Sequence, residues 1–592
     1  MANELKEGYI YDYISGEQVK ATPEEIEAVQ IFARQLVEDY GYSKEQIQTR
    51  PQFRVKVRPS DTKKEYPVDI AVFNSAEKSD DNIHIIVECK KKNRKDGRSQ
   101  LEDYLRFSKA NLGVWFNGEE RFYIQKIEKN GQVKFAEIPN IPKHGQRVED
   151  IGLFKRSELQ STHNLKTTFK AIRNHLAANA VGATRDEVLA QQLINLIFCK
   201  IYDERFTEPE EIVTFRAGID EDVSDVTTRV LDLFQKVKRK YREVLDDNDV
   251  ITLDANSVVY VVGELQNYCL IEAERDVIAD AFETFIGHAL KGGQGQFFTP
   301  RNVVKMMVEI LDPNEEDMII DPACGSGGFI IETLRHIWRK LDAEGEKYHW
   351  NKNNLQEEKM EVALNRIRGI DKDYFLSKIA KAYMAIIGDG KSGIFTDDSL
   401  ERPENWQDNT KLKIDTGKFS VVLTNPPFGS KIPVSGQNKL SQYELAHKWK
   451  QNKQTGEWTK EKLADKEAPQ ILFIERCLQL LKYGGRMAIV LPDGIFGNNQ
   501  LGYIRRFIMK QARLVAVIDI PLETFMPNTG TKTSILIVQK LKSEKIPADY
   551  PVFMCVAETC GHDRRGNIKE EDDISQIATE FKKWKKQNNF SF

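Results

Sequence analysis

Residues 421–430 read VVLTNPPFGS, and this stretch decides how the second half of the chain is organised. The β-branched run predicts a buried strand, which Pro426 and Pro427 must end because proline has no N–H for a sheet ladder and fixes its own φ angle. Asn425 therefore lies at a strand end, on a backbone that two prolines make rigid. Phe428 follows with an aromatic face. An amide and an aromatic ring held together in this way predict a binding site.

The sequence around this stretch alternates short apolar strands with helical patterns over residues 291–560. The predicted strands carry the sequences MIIDPACG, IRGIDKD, FSVVLTNPPF, GRMAIVLPDG, LVAVIDIP and TSILIVQK. Such alternation predicts a doubly wound α/β domain with a parallel sheet and helices on both faces. Ligands of open parallel sheets bind at the carboxyl ends of the strands.

Three more motifs fall at predicted strand ends: DPACGSGGF at 321–329, GID at 369–371 and TDDSL at 396–400. Glycines allow a ligand to approach the backbone, and the helix that follows them offers free N–H groups. The glycine turn is not a dinucleotide fingerprint, because Ile330 stands where a third glycine is expected. Each acid alone also suits a helix cap, but four such features in order predict one shared ligand site.

The bulk composition is that of a globular protein without a global bias toward nucleic acid. The chain has 592 residues and a net charge of −4, with 30% charged and 40% hydrophobic residues. A basic patch, CKKKNRKDGR at 89–98, is usually just a solvated surface. The N-terminus MANELKEGYI has no apolar signal core, and no run approaches the roughly 20 apolar residues of a membrane span. With seven scattered cysteines, these features predict a cytoplasmic protein without a membrane partner.

Changes in pattern along the chain predict four regions. A small α/β domain covers residues 1–150, and long helical patterns fill residues 155–290. The strand-and-helix alternation follows over 291–560, and residues 561–592 read as a charged helical tail. A lysine-rich stretch at 439–466 lies between two core strands and predicts a surface insertion.

The strand-end motifs resemble those of DNA methyltransferases that methylate amino groups with S-adenosylmethionine. GQFFTPR at 295–301 precedes DPACGSGG and TNPPFG, and this order is similar to that of the modification subunits of type I restriction-modification systems. The resemblance covers roughly residues 160–560. It implies a class I S-adenosylmethionine-dependent methyltransferase fold acting on N6 of adenine in double-stranded DNA.

The resemblance also assigns the cofactor residues. It implies that Phe298, Thr299 and Pro300 line the methionine end of the cofactor, and that Asp321, Cys324, Gly325 and Gly327 wrap it. It also implies that Asp371 holds the ribose and that Asp398 hydrogen-bonds the adenine amine.

The rigid strand end then has a chemical purpose. The exocyclic amine of adenine is a poor nucleophile with two N–H donors, which the side-chain oxygen of Asn425 and the carbonyl of Pro426 can accept. Pro427 helps to fix these acceptors in advance, so that orientation costs little during the reaction. Phe428 offers a stacking face to a base rotated out of the duplex. Attack on a sulfonium methyl requires no strong general base and no metal.

A second candidate site lies in the first region. Glu88 and Lys90 share one face of the predicted strand IIVECKK because they are two residues apart, and Asp69 belongs to a neighbouring strand. Two carboxylates can hold Mg²⁺ near a scissile phosphate while the lysine positions water. Gln100 and Tyr104 follow one helical turn apart, as in many PD-(D/E)xK nucleases.

Residues 20–125, which include VWFNGEERFYI, resemble the N-terminal nuclease domain of type I restriction subunits. Either Glu25 or Glu27 can supply a third acid, and the sequence does not choose between them. The resemblance implies a Mg²⁺-dependent endonuclease, and the alternative is an inactive domain that binds DNA or a partner.

The resemblance also implies partners. About 30 residues follow the methyltransferase core, too few for a usual target-recognition domain, which predicts a separate specificity subunit and leaves a second copy of this chain open. The helical region 155–290 is then a docking and DNA-clamping element. Cytosine N4, glutamine or RNA remain alternative substrates for the site at Asn425.

Overall fold

The structure is a computed structural model that describes most of the chain. The described residues are 5–271 and 299–592, apart from residues 57, 59–62, 64–65, 93, 95, 130, 162–163, 182–184, 243, 246, 388–392, 430–431 and 528. The backbone forms two compact units, one of residues 1–242 and 246–289 and the other of residues 243–245 and 290–592. None of the described helices is long and apolar enough to cross a membrane.

The first unit combines a mixed sheet with a set of helices. Its strands are β1 (Tyr9–Tyr11), β2 (Gln18–Lys20), β3 (Ile47–Gln48), β4 (Arg54–Val55), β5 (Tyr66–Pro67), β6 (Ile70–Phe73), β7 (Ile83–Cys89), β8 (Leu112–Phe116), β9 (Arg121–Lys129) and β10 (Gln132–Ile138). Its described helices are α1 (Gln30–Glu38), α2 (Arg98–Arg106), α3 (Leu165–Asn179), α4 (Asp186–Phe206), α5 (Val223–Lys240) and α6 (Ala255–Leu265).

Six of these strands form one sheet in the order β10-β9-β8-β7-β6-β3. The pair β7–β8 is parallel and the other pairs are antiparallel. Cys89 of β7 belongs to the core on the α1 side of the sheet, so Glu88 faces the opposite side, as alternation along a strand requires. In the ladder Ile70 pairs with Val87, which brings Asp69 beside Glu88.

A buried ion pair ties the sheet of this unit to its helices. Arg121 of β9 donates to Glu264 of α6, and both side chains are 1% exposed. The same guanidinium donates to Gln35 of α1 and Thr168 of α3, both at 3.2 Å. Removing one partner of such a pair costs about 3–5 kcal/mol because the other charge is left buried.

The second unit is a three-layer α/β structure. Its strands are β11 (Ile319–Asp321), β12 (Ile367–Asp371), β13 (Ile394–Thr396), β14 (Phe419–Thr424), β15 (Val434–Ser435), β16 (His447–Gln451), β17 (Trp458–Leu463), β18 (Lys466–Glu467), β19 (Leu481–Pro492), β20 (Ala512–Asp519), β21 (Thr533–Lys540) and β22 (Phe553–Val556). Its described helices are α7 (Arg301–Leu311), α8 (Gly328–Tyr348), α9 (Lys352–Glu361), α10 (Tyr374–Ile387), α11 (Asp408–Lys411), α12 (Gln437–Leu440), α13 (Pro469–Leu480), α14 (Gly494–Gly497), α15 (Gly502–Gln511) and α16 (Ile574–Gln587).

The main sheet has the order β13-β12-β11-β14-β19-β21-β20-β22. The prediction of a parallel sheet is wrong at one strand, since β21 runs antiparallel to β19 and β20. A parallel return from β20 to β21 would need a crossover helix. Of the described residues between them, 520–527 and 529–532, only Leu522–Phe525 form a short helical turn, which suffices for an antiparallel neighbour.

The insertion and the C-terminal segment both pack on this unit. Strands β16 and β17 form a hairpin whose Trp449 stacks on Tyr503 with ring centroids 5.4 Å apart. Helix α16 packs against α7. Phe581 of α16 contacts Phe553 of β22 at 5.4 Å between ring centroids. Residues 561–592 therefore continue the fold of the second unit.

Candidate active sites

A cavity of about 430 Å³ opens at the carboxyl ends of the central strands of the second unit. All four strand-end motifs contribute to its wall. Ten residues that the sequence singled out line it: Thr299, Asp321, Cys324, Gly325, Asp371, Asp398, Asn425, Pro426, Pro427 and Phe428. A volume of this size lies in the usual range for small-molecule sites, roughly 300–1,000 Å³.

Three other residues assigned to the cofactor have different positions. Pro300 and Gly327 are not among the residues that line this cavity. The carbonyl of Pro300 accepts the N–H of Val304 at 3.0 Å in the first turn of α7, and Gly327 is the residue before α8, with φ at +93°. Phe298 lies outside the described residues.

The glycine turn is held to the neighbouring strand by hydrogen bonds. The N–H of Cys324 donates to the carbonyl of Ile370 at 3.0 Å, and the N–H of Gly325 donates to Asp371 Oδ2 at 2.8 Å. Gly325 has a φ of +52°, a conformation in which an L side chain is strained. A Cβ there would meet no atom within 4 Å, so the turn leaves open space beside the backbone.

Two of the cavity carboxylates have raised pKa values, and one of them, Asp321, is almost fully buried. Burial raises the pKa of Asp321 to about 7, although the N–H of Ala323 donates to its Oδ1 at 3.0 Å. Burial also raises the pKa of Asp371. A positively charged ligand favours the ionised form of both groups.

Asp398 is held by a lysine that sequence reasoning missed. The ammonium of Lys439 lies 2.7 Å from Asp398 Oδ2 and 3.2 Å from Glu401 Oε2. The other oxygen of Asp398 accepts the N–H of Leu400 at 2.9 Å. Lys439 belongs to α12, in the segment after Phe428, and it also lines the cavity.

The amide of Asn425 has one satisfied end and one unsatisfied end. Its Nδ2 donates to Thr299 Oγ1 at 3.0 Å. Its Oδ1 is buried and has no hydrogen-bond partner in the part of the chain that the structure describes. A buried acceptor without a donor costs about 1–3 kcal/mol, so this oxygen is prepared for a donor that a ligand brings into the cavity.

An aromatic wall adjoins the amide. Phe428 is 6% exposed, and its ring meets that of Phe525 nearly edge-on, with centroids 6.4 Å apart and an interplanar angle of 87°. Gly429 after it donates its N–H to Gln470 Oε1 at 3.3 Å. Phe525 follows β20, and no residue near it in the sequence indicates that its ring would reach residue 428.

The properties of this cavity suit S-adenosylmethionine. Three carboxylates, those of Asp321, Asp371 and Asp398, line it together with Lys372 and Lys439. Lys439 is paired with Asp398, which leaves Asp321 and Asp371 as the acids that favour a cationic ligand. The open space at the glycine turn allows close approach to backbone. The cofactor that the resemblance implied therefore fits the residues present, and Asn425 lies on the wall of the same cavity.

The second candidate site lies in the first unit, between β6 and β7. Asp69 Oδ2 accepts the N–H of Cys89 at 2.7 Å, and its Oδ1 accepts a hydrogen bond from Gln52 Nε2 at 3.4 Å. Lys90 forms an ion pair with Glu88. The structure thus brings together the two acids and the lysine that the sequence singled out.

Burial opposes the charged form of both acids in this site, and Lys90 offsets part of this effect. Burial raises the pKa of Asp69 and of Glu88, and the charge of Asp69 raises the pKa of Glu88 further. The charge of Glu24 also raises the pKa of both Asp69 and Glu88. Glu25 is instead engaged by Arg50 at 2.5 Å, so the structure points to Glu24, which sequence reasoning missed, as the third nearby acid.

A helix completes this site. Gln100 of α2 accepts a hydrogen bond from Lys90 Nζ at 3.3 Å, and its own Nε2 lies 2.5 Å from the hydroxyl of Tyr104. The described residues contain no group of three or more His, Cys, Asp or Glu side chains arranged to hold a metal ion. Mg²⁺ is commonly bound through one or two carboxylates and several waters, so Asp69 and Glu88 fit that ion.

Fold and sites together define a two-unit protein, in which one unit is a doubly wound α/β structure with a carboxylate-lined cavity at its strand ends. The chain belongs to the N-6 DNA methylase family, whose model matches residues 273–592. Residues 23–142 match a second family, the N terminus of the type I restriction enzyme R protein.

Curated relatives resemble part of the chain. The Escherichia coli type I restriction enzyme EcoEI methylase subunit is 28% identical over 271 residues, which are 45% of this chain and 47% of that protein. The Heyndrickxia coagulans type II restriction enzyme and methyltransferase RM.BcgI is 25% identical over 310 residues, which are 52% of this chain and 41% of the relative. The chain thus spans less than half the length of these relatives.

A solved structure shares the fold. A chain from a structure on the assembly and conformational transition of the type I R-M system has a TM-score of 0.51 and 18% sequence identity. The likeness covers 73% of this chain and 85% of that chain.

Proposed function

We propose that the second unit is a site-specific adenine-N6 DNA methyltransferase of a restriction-modification system. The observation that carries the proposal is the buried, unpartnered Oδ1 of Asn425 on the wall of a cavity lined by carboxylates. The family match supports DNA as the substrate, and the names of the relatives support the restriction-modification context.

The amide and the backbone beside it recognise the amine to be methylated. Asn425 Oδ1 accepts one N–H of a flipped adenine, and the Pro426 carbonyl accepts the other. The amine becomes more pyramidal when both its hydrogens are held, which aims its lone pair. Phe428 packs against the base and excludes water. The two prolines hold the acceptors in place before the base arrives.

The cofactor residues act on the other side of the cavity. S-adenosylmethionine, when bound, supplies a methyl group on a positively charged sulfur. Asp321 and the turn at Cys324 and Gly325 hold one part of it, Asp371 its ribose and Asp398 its adenine amine.

Mass spectrometry of the modified nucleic acid tests this proposal. The chain, co-expressed with the specificity subunit proposed below, is incubated with DNA and isotopically labelled S-adenosylmethionine. We expect label in N6-methyladenine. Label in N4-methylcytosine, in glutamine residues of protein or in RNA would contradict the adenine assignment and select one of those alternatives.

A second function concerns the first unit. We infer that Asp69 and Glu88 bind Mg²⁺ and that Lys90 positions water at a scissile phosphate, which makes this unit a DNA endonuclease. The position of the two carboxylates side by side, with pKa values that burial raises, supports a divalent-cation site. The alternative is an inactive domain that only binds DNA or a partner.

Metal-dependent cleavage separates these alternatives. Wild type, K90A and K91A are compared in the presence of Mg²⁺ and the specificity partner. Lys91 is an exposed neighbour and serves as the matched control. We expect cleavage by wild type and K91A and a loss of at least about 100-fold in K90A. Equal behaviour of all three proteins would remove the nuclease assignment.

We also propose that the chain works with a separate specificity subunit on double-stranded DNA, in the cytoplasm, with a second copy of itself in the same complex. Co-purification with the proposed specificity subunit, followed by mass measurement of the complex, tests this composition. A chain that methylates its site alone would contradict it.

A further inference from the structure

Lys439 lies on the wall of the cofactor cavity, although the sequence around it predicts only a surface insertion. It belongs to α12, which follows Asn425 and Phe428 along the chain, and it lines the same cavity as these two residues. Its side chain is only 22% exposed. Lysines are mostly exposed in folded proteins, so the groups that hold this one indicate its role.

Two acids of one loop share the ammonium group of Lys439. Asp398 Oδ2 lies 2.7 Å from its Nζ, and Glu401 Oε2 lies 3.2 Å from the same atom. The two carboxylates are therefore close together, and without the ammonium group their like charges would repel each other. Lys439 thus holds the carboxylate of Asp398 in a defined orientation.

The backbone that carries Lys439 is fixed to the same loop independently of this ion pair. Gln442 Nε2 donates to the carbonyls of Leu400 and Lys439 at 3.0 and 2.9 Å. The hydroxyl of Tyr443 donates to the carbonyl of Leu400 at 2.9 Å. Leu440 is fully buried in one apolar cluster with Leu400 and Tyr443. Replacing the side chain of Lys439 therefore leaves these backbone and packing contacts in place.

Asp398 keeps acceptor capacity for a ligand. One of its oxygens accepts the N–H of Leu400 at 2.9 Å, and the other accepts from Lys439. A carboxylate offers about four acceptor positions, so two donors leave room for a third. The side chain of Asp398 is 37% exposed and lines the cavity, so a ligand can reach it. An amino group that donates to it would form a strong, charge-assisted hydrogen bond.

We propose that Lys439 is a positioning residue for the adenine of S-adenosylmethionine, which orients Asp398 so that its carboxylate accepts the cofactor's 6-amino group. This rests on the cofactor assignment proposed above. The ion pair exists before the ligand arrives, so the orientation costs little on binding. A partly exposed ion pair of this kind adds little to stability, so we expect its effect on cofactor binding rather than on folding.

The test compares two ligands that differ in the 6-amino group, S-adenosylhomocysteine and its analogue with purine in place of adenine. Their affinities for the full chain are measured by titration calorimetry, and thermal unfolding checks each variant. The variants are K439M, D398A and the double variant, with K439Q as a second uncharged replacement in case K439M does not fold. The matched control is K411M. Lys411 pairs with Asp408 at 2.9 Å on the same unit, and it is not among the residues that line the cavity.

We expect wild type and K411M to bind S-adenosylhomocysteine at least about tenfold more tightly than the purine analogue, as one hydrogen bond to a charged acceptor implies. This ratio should fall to about twofold in K439M and in D398A, because the amino group loses its oriented acceptor. The double variant should show no further fall, since Lys439 acts through Asp398. In methyl transfer, K439M should raise KM for S-adenosylmethionine about fivefold and leave kcat within about twofold.

The ratio distinguishes positioning from two other roles of Lys439. A wild-type ratio in K439M would overturn the proposal even if both ligands bound more weakly, because a merely structural role affects both ligands equally. Tighter binding of S-adenosylhomocysteine by K439M would also overturn it, and would show that the lysine competes with the ligand for Asp398. A further fall in the double variant would overturn the action through Asp398.

The outcomes also separate this proposal from the methyltransferase function. If wild type labels N6-methyladenine while D398A keeps the wild-type ratio, Asp398 does not hold the adenine of the cofactor. The proposal is then overturned and the methyltransferase function stands. If wild type methylates no DNA and binds neither ligand, the proposed function and this inference both fail.

Discussion

Replacing Thr299 by valine should uncouple the catalytic amide from its support. Adenine's amine can only donate, so Asn425 Oδ1 must face the base and Nδ2 must face Thr299, whose Oγ1 accepts at 3.0 Å. Valine has nearly the same shape but no acceptor. The amide nitrogen of Asn425 then either has no hydrogen-bond acceptor or turns toward the base. In the second case its N–H faces the N–H of adenine's amine, and two donors cannot form a hydrogen bond.

The structure gives the size of the effect. A buried donor without a partner costs about 1–3 kcal/mol, and each 1.36 kcal/mol is tenfold in rate. We expect kcat of T299V to fall about 10- to 100-fold, while KM for DNA changes little because the rest of the interface is intact. T299S keeps the hydroxyl and should stay within about threefold of wild type.

The assay is methyl transfer to DNA under saturating substrate, with S-adenosylmethionine binding measured separately by calorimetry. Thermal unfolding of T299V and T299S controls for loss of fold. Wild-type kcat in T299V would refute the positioning role of Thr299. Equal loss in T299S and T299V would show that shape, rather than the hydroxyl, matters at this position.

Three further predictions follow from the sites. Burial raises the pKa of Asp321 to about 7, and a cationic ligand favours its ionised form. S-adenosylmethionine should therefore bind about tenfold more tightly at pH 8 than at pH 6. Titration calorimetry should find that its affinity for D321N depends less on pH. The raised pKa values of Asp69 and Glu88 mean that Mg²⁺ competes with protons. Its affinity, measured by calorimetry, should therefore rise from pH 6 to pH 8 and be lost in E88Q. Gly325→Ala should lower the free energy of unfolding by about 1–2 kcal/mol, because φ is +52° there. Denaturant titration can measure this change, and an unchanged midpoint would contradict it.

Much of the second unit could be predicted from its sequence because alternating strands and helices constrain where strand ends lie. Motifs far apart in the chain, such as DPACGSGG and TNPPFG, line one cavity because parallel strands end at one edge of the sheet. The reversed direction of β21 could not be read from its apolar run, since a buried strand has the same composition in either direction.

Contacts between distant residues were beyond sequence reasoning. Thr299 and Asn425 are 126 residues apart, and nothing local to either one indicates their hydrogen bond. Glu24 was missed because neighbouring acids on one helical turn look alike in sequence, and only the packing of that turn separates Glu24 from Glu25. Residues 561–592 read as a charged tail because their aromatic contacts depend on distant partners.

The proposed methyl transfer depends on Asn425 holding the amine of an extruded adenine. The most direct measurement is the affinity of the complex for two duplexes that differ at the target base, one with adenine and one with purine, which lacks the 6-amino group. Each is measured with wild type and N425A. Adenine and purine pair with unequal strength in free DNA. This difference is the same for wild type and N425A, so it cancels when the two proteins are compared.

We predict that wild type favours adenine over purine by about tenfold more than N425A does, as one lost hydrogen bond of about 1–1.5 kcal/mol implies. S-adenosylmethionine should bind N425A as it binds wild type. The same preference for adenine in both proteins would contradict the account.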